Sequence, residues 1–395
     1  MRILVSGAGM AGLSTGITLG AAGHDVSIVE RAKHLRVNGS PIDIRGDAIK
    51  VADKMGVLDP IRVRRVDMTE RVQFVDGRGE LLAELPDSEF NDSPDDTEIP
   101  REDLAHVLRT ALDPATSLRF GESIAELSDD GDGVDVRFAS GERQRYDIVV
   151  GADGMHSATR RLMFGPEDQF LRHLGFYVAL ADLPDYAQSD RRNPMYNFPG
   201  HMIGIAAYRD KALAVFMFRS PWVDYDYHAL AAQQQILLDA FAGHTEWKIR
   251  DLLEAASHDK ELYFDSVSQI HMPSWHSGRV VLVGDAAHCA SPLSGRGTSL
   301  AMTGAWLLAE AFRDHPDDVA AAFEQYEREQ LPYVTYAQGT AAPGGEVLVP
   351  ATQQDIDARN QRLGALTPPG VTQKSLEGGQ KPPPDLRVTQ VTDEA

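Results

Sequence analysis

Residues 1–31 read MRILVSGAGMAGLSTGITLGAAGHDVSIVER, and this stretch decides the fold. Arg2–Ser6 is a short apolar run, which is typical of a strand buried in a parallel sheet. Apolar residues at helical spacing follow it, and residues 24–29 form a second strand-like run that ends at Glu30. Glycines at G-x-G-x-x-G spacing lie between the first run and the helix. The stretch therefore predicts a βαβ unit with a dinucleotide-binding fingerprint.

The glycines and the acidic residue of this unit each have a physical role. Gly7 permits the tight turn after the strand, Gly9 leaves room for a pyrophosphate against the backbone, and Gly12 lets helix and strand pack closely. The helix N-terminus presents free N–H groups to the phosphates. Glu30 can accept hydrogen bonds from both hydroxyls of an adenosine ribose. The expected nucleotide contacts in this unit are Gly7, Gly9, Met10, Ala11, Gly12, Glu30 and Arg31.

Composition excludes several classes of function. The chain has 395 residues, 43% of them hydrophobic, which is enough for globular packing in two domains. A net charge of −21 argues against a nucleic-acid or anionic-membrane partner. The single cysteine, Cys289, rules out an internal disulfide framework and a cysteine-rich metal site, and we expect no metal. No signal peptide or membrane-spanning run is visible, so we expect a cytoplasmic monomer or homodimer.

Strand and helix patterns divide the chain into four segments. Residues 1–169 are expected to form the first part of the nucleotide-binding domain, although 63–98 alternate and contain a hairpin signal that favours the substrate side. Residues 170–270 are expected to form an inserted β-rich substrate domain, and 271–342 the second part of the nucleotide-binding domain with C-terminal helices. Residues 343–395, rich in Gly, Pro and Gln, are expected to form an extended or flexible tail.

Aromatic and methionine side chains of the β-rich segment suit the wall of a substrate pocket. Neighbours along a strand point to opposite faces of a sheet, so these residues cannot all face a ligand. The candidate pocket residues are Tyr196, Met202, Phe216, Met217 and Phe218, together with Pro292 from a later glycine-rich loop.

Three segments of the chain place glycines directly after a short apolar strand, at 7–12, 151–154 and 284–297. The carboxyl ends of parallel strands lie at one edge of a sheet, so the three segments can meet around one ligand. The first segment binds an ADP moiety, and Asp285 can hold a ribityl hydroxyl or the pyrophosphate. The loop 292–297 brings bare backbone against a flat ring, and the following helix directs its positive end at a reduced flavin anion. A nicotinamide cofactor does not need this second half-site, so the ligand implied is FAD.

The motifs in these segments resemble those of the class A flavin-dependent monooxygenases, the para-hydroxybenzoate hydroxylase-like family. They are GAGMAG at 7–12 with Glu30, GADGMHSATR at 151–160 and VGDAAHCASPLSGRGTSLAMTGA at 283–305, and their order and spacing cover residues 1–340. The TetX-like and antibiotic-tailoring members are the most similar. The resemblance implies an α/β fold in which a Rossmann-like FAD-binding domain of the GR2 type carries an inserted β-sheet substrate domain and C-terminal helices.

The resemblance also implies roles for individual residues. The position of Asp153 serves both FAD and NAD(P)H binding, and that of Asp285 contacts the ribityl-diphosphate region. Arg101 resembles a flavin-contacting arginine, and Arg45 lies where the family often has residues near the flavin or the nicotinamide. Many members carry Asn at the position of Ser299. The other cofactor contacts expected from the motifs are Gly154, Gly284, Pro292, Gly295, Gly297, Thr298 and Ser299.

The activity implied is the hydroxylation of an aromatic or polyketide-like small molecule. In the family, NAD(P)H reduces non-covalently bound FAD, O2 adds at flavin C4a, and the hydroperoxide delivers an oxygen atom. The cofactor supplies the difficult chemistry, so no catalytic side chain is assigned. Two alternatives stay open at this point: a flavin-dependent reductase that saturates isoprenoid double bonds without O2, and a flavin-holding cyclase without redox chemistry.

Overall fold

The computed structural model describes residues 1–35, 40–66, 72–85, 95–184 and 192–366, together with residues 93 and 186. The strands within these ranges are β1 (Arg2–Ser6), β2 (Asp25–Glu30), β3 (Ile42–Ile44), β4 (Val72–Val75), β5 (Leu81–Glu84), β6 (Thr97–Ile99), β7 (Ser117–Phe120), β8 (Ile124–Asp129), β9 (Val134–Phe138), β10 (Arg143–Tyr146), β11 (Ile148–Gly151), β12 (Leu171–Asp182), β13 (Asn193–Phe198), β14 (His201–Tyr208), β15 (Lys211–Arg219), β16 (Tyr263–Ile270), β17 (His276–Ser277) and β18 (Val280–Leu282).

The helices within the same ranges are α1 (Met10–Ala21), α2 (Asp47–Lys54), α3 (Leu58–Val63), α4 (Arg101–Thr110), α5 (Ala158–Met163), α6 (Leu230–Ala240), α7 (Ile249–His258), α8 (Asp285–His288), α9 (Gly297–Asp314), α10 (Val319–Leu348) and α11 (Gln353–Leu366). None of these helices is long and apolar enough to span a lipid bilayer.

A six-stranded sheet has β1 near its centre, in the strand order β17-β18-β11-β1-β2-β7. β1 runs parallel to both β2 and β11, and β11 runs parallel to β18. Ile3, Leu4 and Val5 are fully buried, because elements cover this sheet on both faces. β1, β11 and β18 therefore end at the same edge, and the three glycine segments begin there. The α/β class predicted from the sequence is confirmed.

A second sheet of seven strands, in the order β16-β12-β15-β14-β13-β4-β5, is antiparallel except where β13 pairs with β4. One face packs against α6 and α7, in a cluster that includes Phe216, Leu237 and Leu252. The other face packs against Leu293, from the third glycine segment, and against residues at the end of α10 such as Val347. This second face is therefore the one directed toward the glycine segments.

The C-terminal region is helical where an extended tail was expected. α10 runs for 30 residues through Pro332 and Pro343, and α11 follows it after a short corner. The expectation of extended chain is thus wrong for residues 343–366, while 367–395 lie outside the described residues. Two glycines near the end of α10 let it pack closely: a Cβ on Gly345 would lie 2.9 Å from the Phe176 ring, and one on Gly344 would lie 2.8 Å from the Leu293 carbonyl oxygen.

Side chains of the seven-stranded sheet hold the corner between α10 and α11. Arg219 donates through Nε to the Val349 carbonyl at 2.7 Å, and Asn197 donates to the Leu348 carbonyl at 2.9 Å. Arg359 of α11 is buried, donating to the Val347 carbonyl at 2.8 Å and to the Asn197 side chain at 2.9 Å. Burial lowers the pKa of Arg359 to about 10.

Replacing Arg359 by methionine tests the importance of this corner. Arg359→Met leaves the Val347 carbonyl and the Asn197 oxygen buried without these donors, so we expect a loss of about 2–3 kcal/mol in the free energy of unfolding. Denaturant unfolding measures it. The control is Arg328→Met on the exposed side of α10, for which the expected change is within about 0.5 kcal/mol. Equal effects of the two variants would contradict the assignment.

Candidate functional site

The three glycine segments touch one another at the edge of the six-stranded sheet. Gly7 has a φ of +104°, and a Cβ on it would lie 2.4 Å from the carbonyl oxygen of Ala152 in the second segment. A Cβ on Gly284 of the third segment would lie 2.7 Å from the Cβ of Ala11 in the first. Larger residues at either glycine would separate the segments. The three sequence motifs lie more than 100 residues apart along the chain. They thus form one continuous lining of a candidate ligand site at this sheet edge.

Gly9 lies where the lining opens. Its backbone is extended, with φ −75° and ψ −171°, and no atom of the described residues lies within 4 Å of the position of a Cβ. No contact with the described part of the chain therefore requires glycine here. The N-terminus of α1, which begins at Met10, has no side-chain cap, so its first N–H groups point into this space. This arrangement fits a pyrophosphate group.

Glu30 lies beside the first glycine segment at the end of β2. Its carboxylate accepts hydrogen bonds from the backbone N–H groups of Ala8 and Ala32, each at 2.8 Å. These bonds fix the carboxylate next to the segment, where an adenosine ribose would lie. The next residue, Arg31, is exposed, and its guanidinium is 3.4 Å from Nε2 of His228 in the loop before α6.

Asp285 lies in a cleft formed by the third segment. Its side chain is exposed to solvent, although many protein atoms lie around it. Burial raises the pKa of its carboxyl, and the positive charge of Arg101 opposes this shift. A Cβ on Gly297, the first residue of α9, would lie 3.9 Å from Oδ1 of Asp285. Arg101, Asp285 and the N-terminus of α9 therefore meet at one cleft.

Arg45 connects β3 to the same cleft. Its buried guanidinium forms a 2.7 Å ion pair with Asp43, and it packs beside Gly295. Its backbone N–H donates to Oγ of Ser299 at 2.9 Å, so this serine binds the backbone of Arg45. Burial raises the pKa of Asp43, and the charge of Arg45 opposes this shift. The sequence motifs did not single out Asp43, although a carboxylate between two isoleucines in a strand is an unusual placement that signals a partner.

The second segment is held by its own charged residues. The Asp153 carboxylate accepts hydrogen bonds from the hydroxyl and the backbone N–H of Thr159, at 3.0 and 2.9 Å. Arg160 is fully buried and donates to the Ala286 carbonyl at 2.9 Å and to Glu167 at 2.8 Å. Asp153 thus orients its loop, and Arg160 joins the second segment to the third.

His156 links the second segment to the seven-stranded sheet. Its Nδ1 is 2.8 Å from Glu167, its Nε2 is 3.3 Å from Asp265 of β16, and its ring stacks on Tyr227 with centroids 4.2 Å apart. Burial lowers the pKa of His156, but hydrogen bonds to Asp265 and Glu167 outweigh burial and raise it to about 9. In the sequence, its place within the GADGMHSATR motif is the signal that could have indicated His156.

The other predicted contacts and the pocket candidates are distributed as follows. The remaining predicted cofactor contacts lie in the three segments or in the first turns of α1 and α9; they are Met10, Ala11, Gly12, Gly154, Pro292 and Thr298.

The pocket candidates lie on both faces of the seven-stranded sheet. Met202 and Met217 are paired across β14 and β15 and lie on the face directed toward Leu293. Tyr196, Phe216 and Phe218 pack on the opposite face with α6 and α7, so their placement in the pocket is wrong. Alternation along the strands separates the two sets.

Comparisons with known proteins agree with this geometry. A family model described as "FAD binding domain" matches residues 1–338. A flavin-dependent monooxygenase from an unknown prokaryotic organism is 36% identical over 337 residues, covering 84% of this chain and 86% of that protein. The FAD-dependent monooxygenase asL6 of Sarocladium schorii is 32% identical, with 87% of each chain covered. The crystal structure of tetracycline destructase Tet(55) superposes with a TM-score of 0.80 at 34% identity, covering 92% of this chain and 95% of that one.

The chain belongs to this FAD-binding family and is an FAD-dependent monooxygenase. The open backbone at Gly9, the carboxylate of Glu30 and the cleft at Asp285 provide room and polar groups for the cofactor. Within the described ranges, no three His, Cys, Asp or Glu side chains are grouped so that they could hold a metal ion.

Gly9→Asp tests the assignment of the first segment. The protein itself has room for the side chain, but the carboxylate would occupy the pyrophosphate position, so we expect a folded protein that has lost FAD. Flavin absorbance after gel filtration measures retention, and circular dichroism checks the fold. The matched control is Gly364→Asp, at an exposed glycine of α11 that also has open space, and it should retain FAD. FAD retained by Gly9→Asp at wild-type affinity would refute the assignment.

His156 predicts a pH dependence of stability. The folded-state pKa of about 9 lies above the ordinary 6.5, so the stabilisation is complete below about pH 6.5 and is lost as the pH rises through about 9. The stability gap between wild type and His156→Asn should therefore be largest near pH 6, at up to about 3 kcal/mol, and shrink by pH 10. Urea unfolding at each pH measures the gap. The control is His106→Asn at an exposed imidazole. A gap for His156→Asn that stays constant from pH 6 to 10 would count against the ion pairs of His156 with Glu167 and Asp265.

Proposed function

We propose that this monooxygenase hydroxylates an aromatic or polyketide-like small molecule, with NAD(P)H as the reductant and O2 as the source of the oxygen atom. The observation that carries the proposal is the methionine-bearing face of the seven-stranded sheet, which is directed at the flavin loop through Leu293. The likeness of this chain to tetracycline destructases, whose names refer to tetracycline, gives further support.

The six-stranded and seven-stranded sheets separate the part of the chain that binds the cofactor from the part that binds the substrate. Residues 1–169, apart from β4 and β5, bind FAD together with residues 271–342. The seven-stranded sheet, built from 170–270 with β4 and β5, forms the substrate side. The α10–α11 corner closes one end of that sheet through Arg219 and Arg359.

The residues of the cleft bind and orient the cofactor. The N-terminus of α1 and Gly9 hold the pyrophosphate, and Glu30 holds the adenosine ribose. Asp285 binds the ribityl chain, while Arg101 and the N-terminus of α9 place positive charge beside the ring. Bound FAD would supply the redox chemistry that links NAD(P)H and O2 to oxidation of the substrate.

The substrate face determines the kind of molecule that fits. Val178, Met202 and Met217 lie on this face, whereas Phe74, toward the edge of the sheet, is covered by Arg359 of α11. Thioether and aromatic side chains make favourable contacts with flat, polarisable rings. An apolar wall also excludes water from the reacting atoms. The substrate class that fits is therefore a phenol or enol with a planar ring system.

Oxygen labelling tests the proposal. We expect phenolic and tetracyclic compounds to stimulate NADPH oxidation and to yield a product heavier by one oxygen atom, about 16 Da. With ¹⁸O2 the label should enter the product, and product NMR should place it on an electron-rich carbon. Heat-inactivated enzyme is the control. Label arriving from water, or product formed equally well under argon, would overturn the hydroxylase assignment and favour a reductase or a cyclase.

A further inference from the structure

The tight turn between β14 and β15 has an unexpected residue. Tyr208 pairs with Lys211 across the hairpin, so the turn consists of Arg209 and Asp210 alone. Arg209 has a φ of +52°, a left-handed conformation that disfavours side chains and that glycine usually provides in such turns. A strained residue that persists in a structure is a reason to look for what its side chain does.

The Arg209 side chain reaches out of the substrate sheet to the FAD-binding side. Its guanidinium is 2.6 Å from Asp103 and donates to the Arg64 carbonyl at 2.7 Å. Lys211, at the other end of the turn, forms a 2.7 Å ion pair with Glu102. The turn therefore holds both acidic residues in the first turn of α4.

These pairs adjoin Arg101 in the first turn of α4. Arg101, the first residue of α4, directly precedes Glu102, and its charge acts on Asp285 inside the cleft. The carboxylates of Glu102 and Asp103 are mostly buried, with side-chain exposures of 17% and 21%, whereas Arg209 and Lys211 are 43% and 53% exposed, so solvent screens these pairs in part. The same hairpin carries Met202 and Met217 on the substrate face.

We propose that Arg209 and Lys211 are positioning residues, which fix the start of α4 and so set the place of the Arg101 guanidinium in the flavin cleft. The proposal rests on the proposed function, in which Arg101 contacts the flavin. It means that the turn of the substrate sheet and a charge beside the flavin are mechanically coupled.

The test uses the FAD-loaded enzyme and compares Arg209→Gly, Arg101→Ala and the double variant. Arg209→Gly removes the backbone strain but also the ion pair with Asp103, so the unfolding temperature should change little. The FAD dissociation constant should nevertheless increase roughly threefold to tenfold, as expected for coupled neighbouring groups, and the visible flavin spectrum should shift toward that of Arg101→Ala. In the Arg101→Ala background, Arg209→Gly should change neither quantity. Fluorescence titration with FAD and absorbance spectra give both readouts.

Three further variants complete the design. The charge swap of Glu102→Lys with Lys211→Glu should restore the spectrum that Lys211→Glu alone disturbs. The matched control is Glu126→Gln, which removes the partner of Arg137 in an ion pair between β8 and β9, and it should alter neither spectrum nor affinity.

Independent effects of Arg209→Gly and Arg101→Ala, or an unchanged spectrum in Arg209→Gly, would overturn the positioning role. An unchanged FAD affinity and spectrum in Arg101→Ala would also overturn it, because no flavin contact would exist to position. The Gly9→Asp and oxygen-labelling results would stand in either case, so failure of this inference is distinguishable from failure of the proposed function.

Discussion

The cleft depends on one buried guanidinium. Arg160 is withdrawn completely from solvent, and it donates to the Ala286 carbonyl of the third glycine segment while it pairs with Glu167. Burial lowers the pKa of Arg160, which reflects the cost of holding a charge away from water. That cost is offset only because the carbonyl and the carboxylate are held where the side chain needs them. The contact thus specifies one relative placement of two loops that are far apart in the sequence.

The fold could be predicted because its decisive signals are local and chemically specific. Glycine spacing of this kind after an apolar strand is typical of a nucleotide-binding turn, and Glu30 ends the second strand where a ribose requires an acid. Three such segments can meet around one ligand because parallel strands end at the same edge of a sheet. The order of the segments resembles that of a known family. The parts of the site that follow from backbone geometry were therefore accessible from the sequence.

Other parts of the site depend on tertiary packing that no local pattern encodes. β14 and β15 are apolar on both faces, so alternation alone did not show that Met217 faces the flavin loop while Phe216 faces α6 and α7. The glycines near the end of α10 suggested a flexible tail. They serve instead to let the helix approach Phe176 and Leu293 closely. Composition cannot distinguish a glycine that breaks a helix from one that allows close packing.

The length of α10 has a consequence for how this fold can change. Thirty residues of helix extend about 45 Å, starting beside α9 against the six-stranded sheet and ending at the Arg219 and Arg359 contacts of the other sheet. The length of α10 therefore sets the distance between the cofactor side and the substrate sheet. One inserted residue would advance its far end by about 1.5 Å and rotate it by about 100°, so that both anchors could not be satisfied together. In this fold a pocket of another size therefore requires changes in the strands and their turns, while the helix keeps its length.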